Sequence, residues 1–460
     1  MEASMLRNMI LRIGICLVIL YALPTFGQNP PDTAGTALVP EEKVMEYQHV
    51  LVLGVDQPFS KGFNPLSPVV YYSWFGDNFK NKDLYMQFTF TTTMIHLTIA
   101  AKTDRVFAGV RPIAKHSIYA GWRQINHGDN DEKRIFGGND VGAELFFQYN
   151  WLKILSTTVK FHPQYHFYRM FMLTPNKYCY NNMPKRHWSV QPAVEIKLSN
   201  VQDENLMRVK HGYLFRVEYQ YARRIGFGTW YDYDRLWFKE RFNDVWFPPT
   251  GMMEGILYKD TVHDTHRLYG DVGGYYKFKH DINLQVEGRI GYFKGVDRNN
   301  AENIGSIIGD HAYMPGYAVA EFFHNFYVIS HVQIGFPIPF WDARIQPGFH
   351  LLYMPKKNEV VGLGRGLYYF GEGAMLTDLF ARDKIIYHGY PKEIYTSVSC
   401  SFSLMLGNYV PMFVDYAYGI DALRAKSAHK VYLNKIHKGC HEVRVMFLAA
   451  FGSNIEKESK

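Results

Sequence analysis

Hydrophobic and polar residues alternate along much of this chain with a period of two. Trp188, Val190, Pro192, Val194, Ile196 and Leu198 fall on one face, and Ser189, Gln191, Glu195 and Lys197 on the other. Phe215, Val217, Tyr219 and Tyr221 oppose Arg216, Glu218 and Gln220. Ile282, Leu284, Val286, Gly288, Ile290 and Tyr292 oppose Asn283, Gln285, Glu287 and Arg289. Ala343, Ile345, Pro347, Phe349 and Leu351 oppose Arg344, Gln346 and His350, and Val443, Val445, Phe447, Ala449 and Phe451 oppose Glu442 and Arg444. Side chains alternate sides along a β-strand, so each run predicts a strand with one apolar and one polar face. Several runs reach about ten residues, enough for a tilted strand to cross the hydrocarbon of a bilayer and longer than most globular strands. Charges in mid-run are costly in lipid, so the polar face belongs to a lumen. Glu195, Lys197, Arg216, Glu218, Glu287, Arg289, Arg344 and Gln346 are therefore predicted to line it.

Further strands are predicted over residues 84–92, 117–122, 143–151, 155–161, 226–233, 268–279, 322–336, 394–406 and 411–418. The pattern accommodates about 16 strands, with roughly 14 or 18 also compatible, and predicts an all-β, transmembrane antiparallel β-barrel with long extracellular loops. Polar connections fall at 124–139, 174–186, 294–315 and 355–390, the last with room for a short helix over 374–383.

The N-terminus sets the compartment. Arg7 and Arg12 precede an apolar run over 13–23, and Thr25 and Gly27 are small residues placed as at a cleavage site. Residues 1–27 are predicted to be a signal peptide, too short for a comfortable membrane helix. The expected organisation is a short periplasmic segment over 28–66, a barrel over 67–452 and a tail over 453–460, in the outer membrane of a Gram-negative bacterium.

Composition agrees. Aromatic residues are 16% of the chain, with 34 Tyr and 33 Phe, and charged residues only 20%. Barrels carry aromatic girdles at both rims of their apolar band. The net charge of +7 is mild over 460 residues, and no Lys/Arg cluster marks a nucleic-acid surface. Cys179, Cys400 and Cys440 remain after cleavage, an odd number that permits one bridge at most and shows no metal spacing. The acidic run Asn126-His127-Gly128-Asp129-Asn130-Asp131 lacks the spaced ligands of a calcium loop. Gly362-Leu363-Gly364-Arg365-Gly366 lacks the Lys-Ser/Thr of a phosphate loop. Both read as solvated loop, and neither a metal nor a cofactor is predicted.

One region carries a family resemblance. Gly309-Asp310-His311-Ala312-Tyr313-Met314-Pro315-Gly316-Tyr317, then Glu321, precede a strand ending Val332-Gln333-Ile334-Gly335-Phe336-Pro337-Ile338. Further on come Asn408-Tyr409-Val410-Pro411-Met412-Phe413-Val414-Asp415-Tyr416-Ala417-Tyr418-Gly419 and the final alternating strand. The order and spacing resemble the sixth-loop motif and near-terminal strands of the BamA-like surface-antigen barrels. The resemblance implies that the tip Met314, Pro315, Gly316 and Tyr317 folds into the lumen. It departs from the family in two linked places. Pro315 stands where the loop arginine is expected, and Met354, Pro355 and Lys356 stand where its acidic partner is expected. Losing both halves of a buried ion pair strands no charge. The tip is then expected to be held by apolar packing, by Pro315, and by Tyr313 and Tyr317 with their hydroxyls paired to the wall. The segment ahead of the barrel is too short for the family's periplasmic POTRA domains.

The resemblance implies a non-enzymatic barrel surrounded by outer-membrane lipid, an accessory or partner subunit beside other outer-membrane assembly or transport subunits. A passive porin and a barrel-embedded lipid hydrolase are the alternatives. His187-Trp188-Ser189 has the His-x-Ser spacing of barrel lipases, but Trp188 shares the apolar face, so His187 and Ser189 are predicted to face the lumen, away from lipid. No catalytic residues are predicted. His311 and His324 near the sixth loop read as polar contacts.

Overall fold

Period-two alternation becomes a closed wall in the computed structural model, which describes residues 45–59, 66–77, 84–116, 125–126, 129–130, 137–169, 186–203, 210–227, 263–295, 303–305, 312–317, 322–323, 325–339, 343–355, 393–406, 410–425 and 436–454. The first five wall strands are β1 (Met45–Pro58), β2 (Ser67–Asp77), β3 (Leu84–Thr91), β4 (Met94–Lys102) and β5 (Val106–His116). Then follow β6 (Gly137–Asn150), β7 (Leu155–Arg169), β8 (His187–Ser199), β9 (Lys210–Ile225), β10 (Asp264–Lys277) and β11 (Asn283–Lys294). The last five are β12 (Phe326–Ile338), β13 (Ala343–Tyr353), β14 (Ile394–Leu406), β15 (Val410–Ala425) and β16 (Ile436–Asn454).

Each strand pairs antiparallel with its chain neighbours, and β16 returns to β1 in register from Met45↔Asn454 to Pro58↔Glu442. The result is a closed, up-and-down barrel of 16 strands. Closure leaves no sheet edge, which matters in a medium that cannot hydrogen-bond a free backbone. Every second connection is short, such as 103–105 between β4 and β5, and the long connections 117–136, 170–186, 226–263, 295–325 and 354–393 all lie at the opposite end.

Burial is inverted relative to a soluble protein. Leu53, Val194, Ile196, Phe215, Ile334 and Phe447 are among the exposed large apolar side chains, all on the outer face. Thr98, Gln164, Ser189, His350 and Arg444 are buried, all on the inner face. An apolar outside and a polar inside mark a wall solvated by lipid.

Two sequence expectations need correction. The barrel begins at Met45 and not at 67, so residues 45–58 of the expected periplasmic segment are wall, and it ends at Asn454, two residues into the expected tail. The run His49 to Val55 is apolar on both faces except at His49, which hid β1 from an alternation test. β9 ends at Ile225, ahead of Gly226 at φ +76, and residues 228–233 of the strand expected over 226–233 lie outside the described residues. Ile125–Asn126 and Asp129–Asn130 pair as a small hairpin within the 124–139 connection. The signal peptide, the strand over 117–122, the loop over 174–185, the helix over 374–383, Cys179, His311, His324 and the Gly362–Gly366 run lie outside the described residues. No disulfide joins Cys400 and Cys440.

Candidate functional site

The sixth connection at the long-loop end, between β11 and β12, holds the largest change from a simple barrel. Asn303–Ile304 pairs with Phe322–Phe323 as a short ribbon. From it the tip reaches the wall. Ile304, Met314 and Tyr317 have no exposed surface at all, and Ala312 and Phe322 are buried beside them. They pack with Tyr327 and Ile329 of β12, Leu352 and Met354 at the end of β13, Tyr395 of β14 and Ala422 of β15. Burying such a side chain is worth about 1.5–3 kcal/mol each. Met354, just past the end of β13, is thus part of an apolar seat.

The tip backbone is seated as closely as its side chains. Gly316 takes φ +78, and its amide donates to the Glu442 carboxylate of β16. A Cβ at Gly316 would lie 2.4 Å from the Gly419 nitrogen of β15. Only glycine on both sides permits this approach. The Tyr317 hydroxyl donates to the Thr396 carbonyl at 3.0 Å. Tyr313 stacks on His331 at 6.2 Å and lies under the Arg444 guanidinium, 4.9 Å from its ring centre. Burial raises the Tyr313 phenol above its ordinary range, which keeps the ring neutral beneath that cation.

The tip packs against residues of β12 to β15, and its Tyr317 hydroxyl bonds the Thr396 carbonyl. The expectation of an anchor without charges is wrong. The cation comes from the wall and not from the loop. Arg444 of β16 bonds Glu442 at 2.9 Å and lies 3.8 Å from Asp415 of β15 and 3.9 Å from Asp56 of β1. Asp56↔Arg444 and Arg444↔Asp415 are direct cross-strand pairs, so three adjacent strands bring the groups to one level. The charges of this cluster span the closing seam, and the loop tip rests on them.

A second polar system runs along the opposite wall. Lys160 of β7 bonds Glu195 of β8 at 2.7 Å and Glu218 of β9 at 3.0 Å. Arg216 bonds Glu218 at 2.7 Å and lies 3.3 Å from Glu195 and 3.5 Å from Asp271 of β10. Asp271 continues to Arg289 of β11 at 3.3 Å. Glu195 and Glu218 are directly opposed in register, a repulsive pairing that Lys160 and Arg216 offset from both sides. Lys197 lies on the same inner row, exposed near the short-turn end.

The other predicted lumen residues have local partners. Glu287 accepts from the Tyr275 hydroxyl at 2.7 Å. Gln346 donates to Gln333 at 3.4 Å. Arg344 binds Asn283 and the Asp281 carbonyl, tying β13 to the β10–β11 turn. Under the tip remains a cavity of about 450 Å³, lined by Asp271, Glu287, Arg289, His331, His350 and Arg444 among others. His331 and His350 share a 2.7 Å bond between their Nδ1 atoms, and His350 Nε2 lies 2.7 Å from the Ser399 hydroxyl. Among the described residues no cluster has the makings of a metal site.

No protein-family model and no curated protein matches the chain. Among solved structures, CdiB from Acinetobacter baumannii is similar at a TM-score of 0.49 and 7% identity, over 89% of this chain and 60% of that one. BamA from Haemophilus ducreyi lacking POTRA domains 1-3 is similar at a TM-score of 0.49 and 9% identity, over 89% of this chain and 71% of that one. A bacterial polysaccharide outer membrane secretin is similar at a TM-score of 0.40 and 6% identity, over 89% of this chain and 99% of that one. The chain thus spans 60% of the length of the CdiB chain it matches. The chain is a transmembrane β-barrel similar to those of CdiB and BamA, with no POTRA domain among its described residues.

Proposed function

We propose that this chain is an outer-membrane protein of a Gram-negative bacterium that works as an accessory or partner subunit in protein assembly or transport, and not as a passive porin. The long connections would then face the outside and the short turns the periplasm. The observation that carries the reading is the sixth loop, whose tip occupies the lumen. A barrel of this strand number leaves an aqueous channel when its lumen is empty. Here Met314 and Tyr317 are fully buried against the wall, and Gly316 is bonded to Glu442. A plug held at several independent points is costly to displace and serves no solute pore.

The test is purification of the tagged full chain from outer membranes in mild detergent, followed by planar-bilayer recording. The reading expects stoichiometric partner proteins and little steady conductance. A chain that purifies alone and conducts as a large, constantly open channel overturns it in favour of a porin.

A further inference from the structure

The inner wall of β6, β7 and β8 carries a hydrogen-bonded chain that the plugged-barrel reading does not use. Asp140 of β6 pairs in register with His166 of β7, and its Oδ1 lies 2.7 Å from His166 Nδ1. The other ring nitrogen, Nε2, lies 2.7 Å from the Ser189 hydroxyl of β8. That same oxygen accepts from Gln191 Nε2 at 2.9 Å. Gln191 Oε1 in turn accepts from Gln220 Nε2 of β9 at 2.8 Å.

The donor directions agree along the whole chain. An ionised Asp140 only accepts, so the proton sits on His166 Nδ1. Nε2 is then an acceptor, and the Ser189 hydroxyl donates to it. Gln191 is oriented by Gln220 so that its amide nitrogen, and not its oxygen, faces Ser189. The imidazole plane is fixed as well. His187 stacks on His166 at 4.6 Å with an interplanar angle of 22°, and Phe227 packs edge-on against His187 at 4.6 Å. A hydroxyl, a base and an orienting carboxylate in this order form an activated nucleophile, whatever the fold that holds them.

We propose that Ser189, His166 and Asp140 form a nucleophilic relay that hydrolyses carboxylic esters of small apolar acyl groups reaching it from the lumen. Ser189 Oγ bonds to the ester carbonyl carbon while its proton passes to His166 Nε2, and the carbonyl electron pair moves onto oxygen. Gln191 Nε2, already beside Oγ, is within reach of that oxygen two bonds further on. The adduct collapses as the bond to the alcohol breaks, and the alcohol takes the proton from His166. Water then attacks the acyl-serine, again through His166, and the carboxylic acid leaves as Ser189 regains its proton. One ester and one water give one acid and one alcohol, with no redox change. Asp140 is a positioning residue. The acyl group is small because Ser189 is only 2% exposed, and apolar because Tyr168, His187 and Phe227 form one side of the site.

The test uses the full chain, folded in detergent, with p-nitrophenyl acetate and a fluorophosphonate probe. Turnover is expected, together with one phosphonate on Ser189 by peptide mass. Ser189→Ala should lose both. Asp140→Asn should lower kcat by about 10⁴-fold with little change in KM, the signature of a lost orienting group and not of lost binding. Heat-shifted gel mobility of each variant separates lost chemistry from lost fold. A folded wild-type barrel that neither turns over the ester nor takes the label at Ser189 overturns the proposal, as does Ser189→Ala hydrolysing at the wild-type rate. The wild-type label needs no variant, so the outcome does not depend on how the substitutions fold.

Discussion

Gly316→Val attacks the one point where loop backbone meets wall backbone. At φ +78 an L-residue costs about 1–2 kcal/mol, and a β-branched one sits at the upper end. Sterics add to this. A Cβ would lie 2.4 Å from the Gly419 nitrogen, 2.8 Å from the Tyr418 carbonyl carbon and 3.1 Å from the Gly419 Cα. These are backbone atoms of β15, held in the ladder to β14, so no rotamer change relieves the overlap. The tip has to lift. Lifting forfeits the bond from Gly316 to Glu442 and the Tyr317 bond to Thr396, each about 0.5–1.5 kcal/mol. It also returns the Tyr317 ring to the lumen, a further loss of about 1.5–3 kcal/mol. The barrel itself does not depend on these contacts, because its strands pair around the full circle. The expected result is a folded barrel with an open lumen. In planar bilayers Gly316→Val should conduct where the native chain does not. A second reporter is Met314→Cys, which should resist an impermeant thiol reagent alone and react when combined with Gly316→Val. Equal conductance and an equally protected thiol in both backgrounds, with heat-modifiable mobility intact, would refute the seating of the tip described above.

Three further predictions concern the wall. Val286→Arg places a cation on the lipid face and should cost about 2–4 kcal/mol of insertion free energy near the midplane, whereas Glu287→Leu loses only the Tyr275 partner, about 1–2 kcal/mol; urea titration in liposomes compares them, and equal losses would contradict the facing. Arg444→Met leaves Asp56, Asp415 and Glu442 around one vacated cation across the β1–β16 seam and should destabilise by about 3–5 kcal/mol, read as a lower temperature of gel-mobility conversion. Lys160→Met leaves Glu195 and Glu218 opposed with Arg216 alone to offset them, a loss of about 1–3 kcal/mol in the partly solvated lumen that Glu195→Gln in the same chain should largely restore; no recovery in the double variant would show the two groups to be uncoupled.

How much of this was legible depends on what each feature asks of the chain. The strand over 394–406 was read to the residue, because β14 alternates cleanly between lipid and lumen. β1, β4 and β5 were not read. Their inner faces carry Val50 and Val52, Met94 and Ala100, or Phe107 and Ile113, so period two is blurred where small or apolar residues line the lumen. The facing of His187 and Ser189 followed from Trp188, but their partners did not. His166 lies in a separate strand from Ser189, and Asp140 in a third, so no spacing in the chain joins them.

The sequence by itself determined the class of solvent on each side of the wall, the approximate number of strands and the loop whose tip enters the lumen. Those are local properties, set by which residue follows which. Only the tertiary structure decided which charges meet. Arg444 finds Asp56 because the last strand closes on the first, far apart in the chain, in one particular register. Slipping that register by one residue would turn Arg444 to the lipid and leave the loop tip without its seat. The anchor read as uncharged from the loop is ionic for the same reason: the loop's own residues carry no trace of what the far wall presents to them.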